Sequence, residues 1–395
     1  MTAVAIIGTA VFLWGLLSAR LEHADLTAPI VFVGVGGLCA AAGLADAPAT
    51  TETVTPLVEV TLVLVLFSDA AGVPFDQLRS DLGRCVRLLA IGLPLTVVAG
   101  WGLADVVFTD LGVWLALLVG AALAPTDAAL GLPVVTNAGV PADVRRLITI
   151  ESGLNDGIAT PVVVFALAGA AAVEHVDGAS ALGHAIAELG IGVVVGAVVG
   201  GGGGWALQGA RRRGWADAEF SGITVLALAL VAYAGALTVH GNGFVAAFCG
   251  GLAFGATAGQ RSSTELVFLE QTGGLLSLLV WFVFGVQALP IIVDRIDLLT
   301  LLYAVLSLTV LRMLPVALAT VGAGLDRADV LFVGWFGPRG LASLVFALLA
   351  LEELGPAADE AVTVIGVTVL LSVLAHGLTA APLVDRERRR LTPGG

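Results

Sequence analysis

Apolar runs close to twenty residues long recur along nearly the whole chain, and that recurrence leaves it few possible structures. A helix of that length spans the ~30 Å hydrocarbon core of a bilayer. Charged residues make up 12% of the chain, about half the usual ~25% of soluble domains, and the mean hydropathy is +1.01. Thirteen spans can be read, near residues 3–20, 27–45, 54–72, 84–106, 112–137, 142–173, 179–210, 217–239, 243–259, 264–290, 297–323, 327–350 and 358–384. The first has no small-residue cleavage site behind it and reads as a retained span. The expected fold is therefore an all-α polytopic membrane protein.

The basic residues test this count. Every one is arginine. With the N-terminus outside, each loop arginine falls on the inner side except Arg295, while Arg312 and Arg339 fall within spans. That is a strong positive-inside bias. The opposite loops carry Asp46 and Glu52, Glu174 and Asp177, and Glu352, Glu353, Asp359 and Glu360, so the net charge of −13 is mostly outward-facing. The expected location is the cytoplasmic membrane of a prokaryote, with a short cytoplasmic tail at 386–395. Arg386–Arg390 adjoin a span and read as an orientation anchor, not a nucleic-acid patch. Cys39, Cys85 and Cys249 fall in spans without CxxC spacing, so no disulfide framework or zinc site is implied. Without lysine there is no phosphate-binding P-loop, and Gly200–Gly204 reads as a helix-packing stretch. No nucleotide and no cofactor are expected.

Two spans carry breaks. The fifth contains Ala-Pro-Thr-Asp at 124–127 and the twelfth Phe-Gly-Pro-Arg-Gly at 336–340. Proline removes an internal hydrogen bond and glycine is permissive. Each break is fifth within a six-span unit: one unit covers about 1–173, the other about 217–385, with a linker helix at 179–210. An odd linker inverts the second unit, which is the pattern of an inverted-repeat transporter with crossed broken helices.

Ionisable residues within a span are functional-site hypotheses by default. Residues 151–157 read Glu-Ser-Gly-Leu-Asn-Asp-Gly. On a helix, Ser152 and Asp156 share one face, and Glu151 and Asn155 the neighbouring one. A hydroxyl and a carboxylate suit a hard monovalent cation, and Thr126 and Asp127 at the first break can add to them. Glu151 needs a cationic partner, for which Arg339 is the expected one. Arg312 is expected to pair with Glu265 or Glu270. Asp156 would then hold either a cation or a proton, since desolvation favours its neutral form and a bound cation its charged one.

These motifs carry a resemblance. Ala-Pro-Thr-Asp at 124–127, Glu-Ser-Gly-Leu-Asn-Asp-Gly at 151–157 and Gly-Pro-Arg-Gly at 337–340, with a weaker match in Leu-Phe-Ser-Asp at 66–69, resemble the NhaP-type sodium–proton antiporters, over essentially the whole chain. The resemblance implies the antiporter fold of about thirteen helices, a homodimer, and exchange of Na+ or Li+ for H+ by alternating access in pH and sodium homeostasis. It implies that Asp156 is the cation- and proton-binding carboxylate. Ser152 and Thr126 would be oxygen ligands with Asp127 close by, and Glu151 and Arg339 an ion pair. Asn155 resembles the residue that accompanies electroneutral exchange, where electrogenic relatives carry aspartate. Asp69 is assigned no role. The alternatives are a K+/H+ antiporter of the same fold and a cation channel; a channel would show repeated pore-lining filter motifs, which the sequence lacks.

Overall fold

In lipid a chain must satisfy its own backbone, and helices do so segment by segment. The computed structural model describes residues 2–22, 26–44, 51–73, 75–127, 129–174, 178–259 and 263–391, and these are helical almost throughout. Asp46, Asp177 and Arg261, read above as loop charges, lie outside the described residues, as do Ala128 and the tail end 392–395.

In chain order the helices are α1 (Thr2–Glu22), α2 (Ala28–Ala41), α3 (Thr51–Gly72), α4 (Phe75–Arg87), α5 (Leu93–Val107), α6 (Gly112–Ala122), α7 (Leu132–Val135) and α8 (Ala142–Glu174). There follow α9 (Gly178–Arg212), α10 (Ala218–Thr238), α11 (Gly243–Thr257), α12 (Ser263–Arg295), α13 (Leu298–Leu308), α14 (Val310–Ala319), α15 (Arg327–Trp335), α16 (Leu341–Leu354) and α17 (Asp359–Leu391). Among the described residues, eight helical stretches are long and apolar enough to cross a membrane, and one of them, Leu341–Arg390, holds both α16 and α17. With four shorter apolar helices this makes thirteen crossings, the number read from the sequence.

Local chemistry sets several helix ends. Asn242, Asp297 and Asp326 each accept a backbone N–H three residues on, starting α11, α13 and α15. Pro94 cannot donate to the carbonyl four residues back, and a π-helical turn occupies Leu88–Gly92 just before it. The eleventh span is also interrupted, which the sequence did not suggest. Thr309 separates α13 from α14, and its Oγ1 donates back to Val305 O at 2.6 Å, a bond that bends helices.

The chain forms two compact units. The first comprises Met1–Thr55, Asp81–Ser152 and Leu278–Gly395. Within it α17 packs against α13, α16 and α6, and α5 packs along α6. Leu344, Val345, Ala347, Val362, Val364, Ile365 and Val369 are fully buried, as expected of helices apolar on every side.

The second comprises Pro56–Ser80 and Gly153–Ser277. Its centre holds Phe67, Val225, Ala247, Phe254 and Leu269. A glycine seam brings α9 onto α11. A Cβ at Gly192, Gly196 or Gly200 would lie 2.5, 2.4 or 2.0 Å from the carbonyl oxygens of Asn242, Ala246 and Gly250. Small residues one turn apart allow this approach where no hydrophobic effect drives association. The Gly200–Gly204 stretch thus packs helices, as expected.

Candidate functional site

Both broken spans are broken where the sequence placed them, and both lie in the first unit. α6 stops at Ala122 and α7 starts at Leu132; α15 stops at Trp335 and α16 starts at Leu341. A break frees backbone groups that lipid cannot satisfy. Here the two breaks satisfy each other. Asp127 N donates to Pro338 O at 2.8 Å. Ser343 Oγ donates to Ala122 O at 2.6 Å. Arg339 Nη1 donates to Ala124 O and Pro125 O, both at 3.0 Å.

Asp127 uses both carboxylate oxygens within this crossing. Oδ2 accepts Leu341 N at 3.0 Å, and Oδ1 accepts Ala129 N at 2.8 Å and Leu130 N at 3.3 Å. The result is a reciprocal exchange of charges. The carboxylate from the first break sits at the N-terminus of α16, the positive end of that half-helix. The guanidinium from the second break sits at the C-terminus of α6, the negative end. Gly340 is required for this seating: a Cβ there would lie 1.9 Å from Asp127 Oδ2. Gly340→Ala is therefore expected to unseat Asp127 and to cost about 1–3 kcal/mol, as overpacking does. An unchanged apparent melting temperature in detergent would show that the carboxylate has another seat.

Glu151 does not pair with Arg339. Its partner is Arg312, which holds it through two parallel bonds, Nη1 to Oε1 at 2.6 Å and Nη2 to Oε2 at 2.8 Å. Both residues are 2% exposed. This forked geometry is the strongest arrangement available to the two groups. Arg312 follows the Thr309 bend by three residues on α14. A Cβ at Gly337 would lie 2.7 Å from Arg312 Nε, so the second break leaves room for that guanidinium. Arg339, 0% exposed, has the carbonyl oxygens of Ala124 and Pro125, just past the end of α6, as the acceptors of Nη1. Glu265 is not the partner of Arg312 either; it pairs with Arg211 in the second unit. Arg312 is thus a site residue that sequence reasoning noticed within a span and assigned elsewhere.

The ligand face of α8 is as expected. Ser152 Oγ and Thr126 Oγ1 lie 2.9 Å apart, both buried. α8 is one continuous helix, so the helical repeat sets Asp156 one turn beyond Ser152 and Asn155 one turn beyond Glu151. Asn155 and Asp156 belong to the part of α8 that packs in the second unit, where both are buried. There the bare Cα of Gly157 meets Phe248, whose ring a Cβ would overlap at 2.0 Å. Glu59 on α3 accepts the Tyr233 hydroxyl at 2.8 Å within the second unit. Chemically, the first unit presents two hydroxyls beside backbone breaks whose end charges are already compensated, and α8 carries a carboxylate onward from them.

The chain matches the family model described as sodium/hydrogen exchanger, transmembrane, over residues 6–386. It is 30% identical over 355 residues to the Na(+)/H(+) antiporter NhaP of Pseudomonas aeruginosa, covering 82% of this chain and 79% of that one. It is 27% identical to the K(+)/H(+) antiporter NhaP of Alkalimonas amylolytica, covering 92% of this chain and 63% of the relative. The fold is similar to that of the sodium proton antiporter MjNhaP1 of Methanocaldococcus jannaschii, with a TM-score of 0.80 at 19% identity, over 98% of this chain and all of the other. A family match along nearly the full length, on a chain whose two interrupted helices hold each other's ends, places this protein in the sodium/hydrogen exchanger family, as an integral membrane cation–proton antiporter and not an enzyme.

Proposed function

We propose that this antiporter exchanges Na+ or Li+ for H+ one for one, by alternating access, in pH and sodium homeostasis. The observation that carries the reading is the buried hydroxyl pair of Thr126 and Ser152, with Asp156 one turn further along α8. These oxygens suit a small hard cation, and Asp156 is the group on that face that holds either the ion or a proton. The Glu151–Arg312 pair is neutral as a unit and adds no net charge to the site. Asn155 does not titrate. Asp127 engages three backbone N–H groups within the crossing, which argues for a fixed helix-end charge rather than a second proton carrier. In this reading the ligands are Asp156, Ser152 and Thr126, with Asp127 close by, and Arg339 of the second break steadies the crossing by holding the backbone just after α6.

The same reading takes 1–173 and 217–385 as inverted repeats about the 179–210 linker, the N-terminus as outside and the C-terminus as cytoplasmic. It takes the working form as a homodimer that needs no cofactor or nucleotide. K+ is the second reading, because the Alkalimonas relative carries that name. Proteoliposomes loaded with a quenched pH dye decide between them: Na+ and Li+ pulses should dequench the dye, and dequenching by K+ alone would reverse the assignment. Exchange should also be electroneutral. Clamping the membrane potential with valinomycin and K+ should leave the steady-state Na+ gradient unchanged. A clear potential dependence would show a second moving charge, with Asp127 the first group to test.

A further inference from the structure

Helical continuity fixes α14 at neither end. The Thr309 bend cuts it from α13, and the non-helical residues 320–326 separate it from α15. Its first turn carries Arg312, whose fork on Glu151 needs α14 and α8 in one register. What holds the far end of α14 therefore bears on the site.

That end is gripped by α4. Arg84 Nε donates to Ala323 O at 3.0 Å, and Arg87 Nη1 donates to Val321 O. The stretch Val-Gly-Ala-Gly at 321–324 is shaped to receive the two guanidiniums. Gly322 and Gly324 have φ of 72° and 73°, a left-handed backbone that glycine adopts without strain. Each follows one of the accepting residues and lies against its arginine. A Cβ built on Gly322 would be 3.9 Å from Arg87 Nη1, and one on Gly324 would be 3.7 Å from Arg84 Nη2.

Arg84 also reaches α8. Its Nη1 lies 3.3 Å from Asp143 Oδ2 and 3.5 Å from Asp81 Oδ1, and Asp81 Oδ2 accepts Arg146 Nε of α8 at 3.1 Å. A lone exposed ion pair contributes little, but these four charges form a network around the buried Asp81. Arg84 thus joins the first turn of α8 to the loop after α14. The same two helices meet again where Glu151 receives Arg312, about 12 Å further along α8 by the helical rise. All of these residues belong to the first unit.

We propose that Arg84 is a positioning residue for exchange: from the far ends of α8 and α14 it fixes the register in which Arg312 meets Glu151. This rests on the site reading above, in which the oxygens for the cation come from α8 and the first break. α14 supplies none of them, so loosening it lowers turnover and leaves cation affinity alone.

The test measures Vmax per folded transporter and KM in proteoliposomes, with whichever of Na+, Li+ and K+ the wild type exchanges. Arg84→Gln should lower Vmax about tenfold, within the ~10² that an ångström of misplacement costs, with KM like wild type. Arg312→Lys keeps a charge beside Glu151 and loses the fork. In that background Arg84→Gln should lower Vmax by no more than about twofold, because the register it sets no longer matters. A general structural role would repeat the full loss there, and that result would overturn the proposal. A wild-type Vmax in Arg84→Gln alone would overturn it too. If Arg84→Gln does not fold or Arg312→Lys does not exchange, the cycle is read in apparent melting temperature with Asp143→Asn and Arg312→Lys. A double variant that falls by less than the two single shifts together supports the proposal, and additive shifts overturn it. Exchange at the wild-type rate by Asp156→Asn would overturn the site reading, whereas failure of the Arg84 cycle overturns this proposal alone.

Discussion

Asp156→Asn is expected to abolish exchange of Na+, Li+ and K+ to background while leaving a folded, correctly inserted protein. The amide keeps the shape and reach of the carboxylate. It removes the one group on the Ser152 face of α8 that can alternate between a metal ion and a proton. The residue is buried on a continuous helix, and a neutral side chain there is easier to bury than a charge. Stability should therefore hold or rise. The check is dye dequenching in proteoliposomes beside the apparent melting temperature in detergent. Exchange near the wild-type rate by the folded variant would remove Asp156 from the site.

Glu151→Gln is expected to cause the largest loss of stability. It strands the Arg312 guanidinium, 2% exposed, without its carboxylate. Breaking a buried pair by removing one partner costs about 3–5 kcal/mol, because an uncompensated charge remains. The apparent melting temperature should fall sharply, and exchange with it. The double variant Glu151→Gln, Arg312→Gln should recover much of the stability, since the stranded charge is gone. Adding Arg339→Gln to Glu151→Gln should recover less than the Arg312 change, because Arg339 hydrogen-bonds Ala124 O and Pro125 O and not the Glu151 carboxylate. Rescue by the Arg339 change and not by the Arg312 change would restore the pairing that the sequence suggested. These comparisons work as a double-mutant cycle, which isolates the coupling of two groups in contact.

The number of spans was legible in the sequence because it depends on local quantities. A run of about twenty apolar residues is long enough to cross a bilayer whatever its neighbours do. The two breaks were legible for the same reason. Pro125, Gly337, Pro338 and Gly340 disturb a helix through their own backbone chemistry. The Ser152–Asp156 face follows from helical geometry alone. The Thr309 interruption was not legible, because a threonine within a span usually bonds back to its own helix without ending it.

Which group neutralises which was decided by tertiary structure. Glu151 and Arg312 are 161 residues apart in the chain, and Arg339 is 215 residues from Ala124. A buried charge can be compensated by an opposite charge or by the end of a helix. The sequence contains both remedies and does not rank them. Pairing Glu151 with the nearest arginine at a break assumed the first remedy for Arg339, while the folded chain uses the second. Asp127 at the start of α16 and Arg339 at the end of α6 each answer a half-helix dipole that exists only because the other span is broken there. The apolar runs, the breaks and the α8 face were thus determined by the sequence. The distribution of charge among them came from distances between segments that only the folded chain brings together.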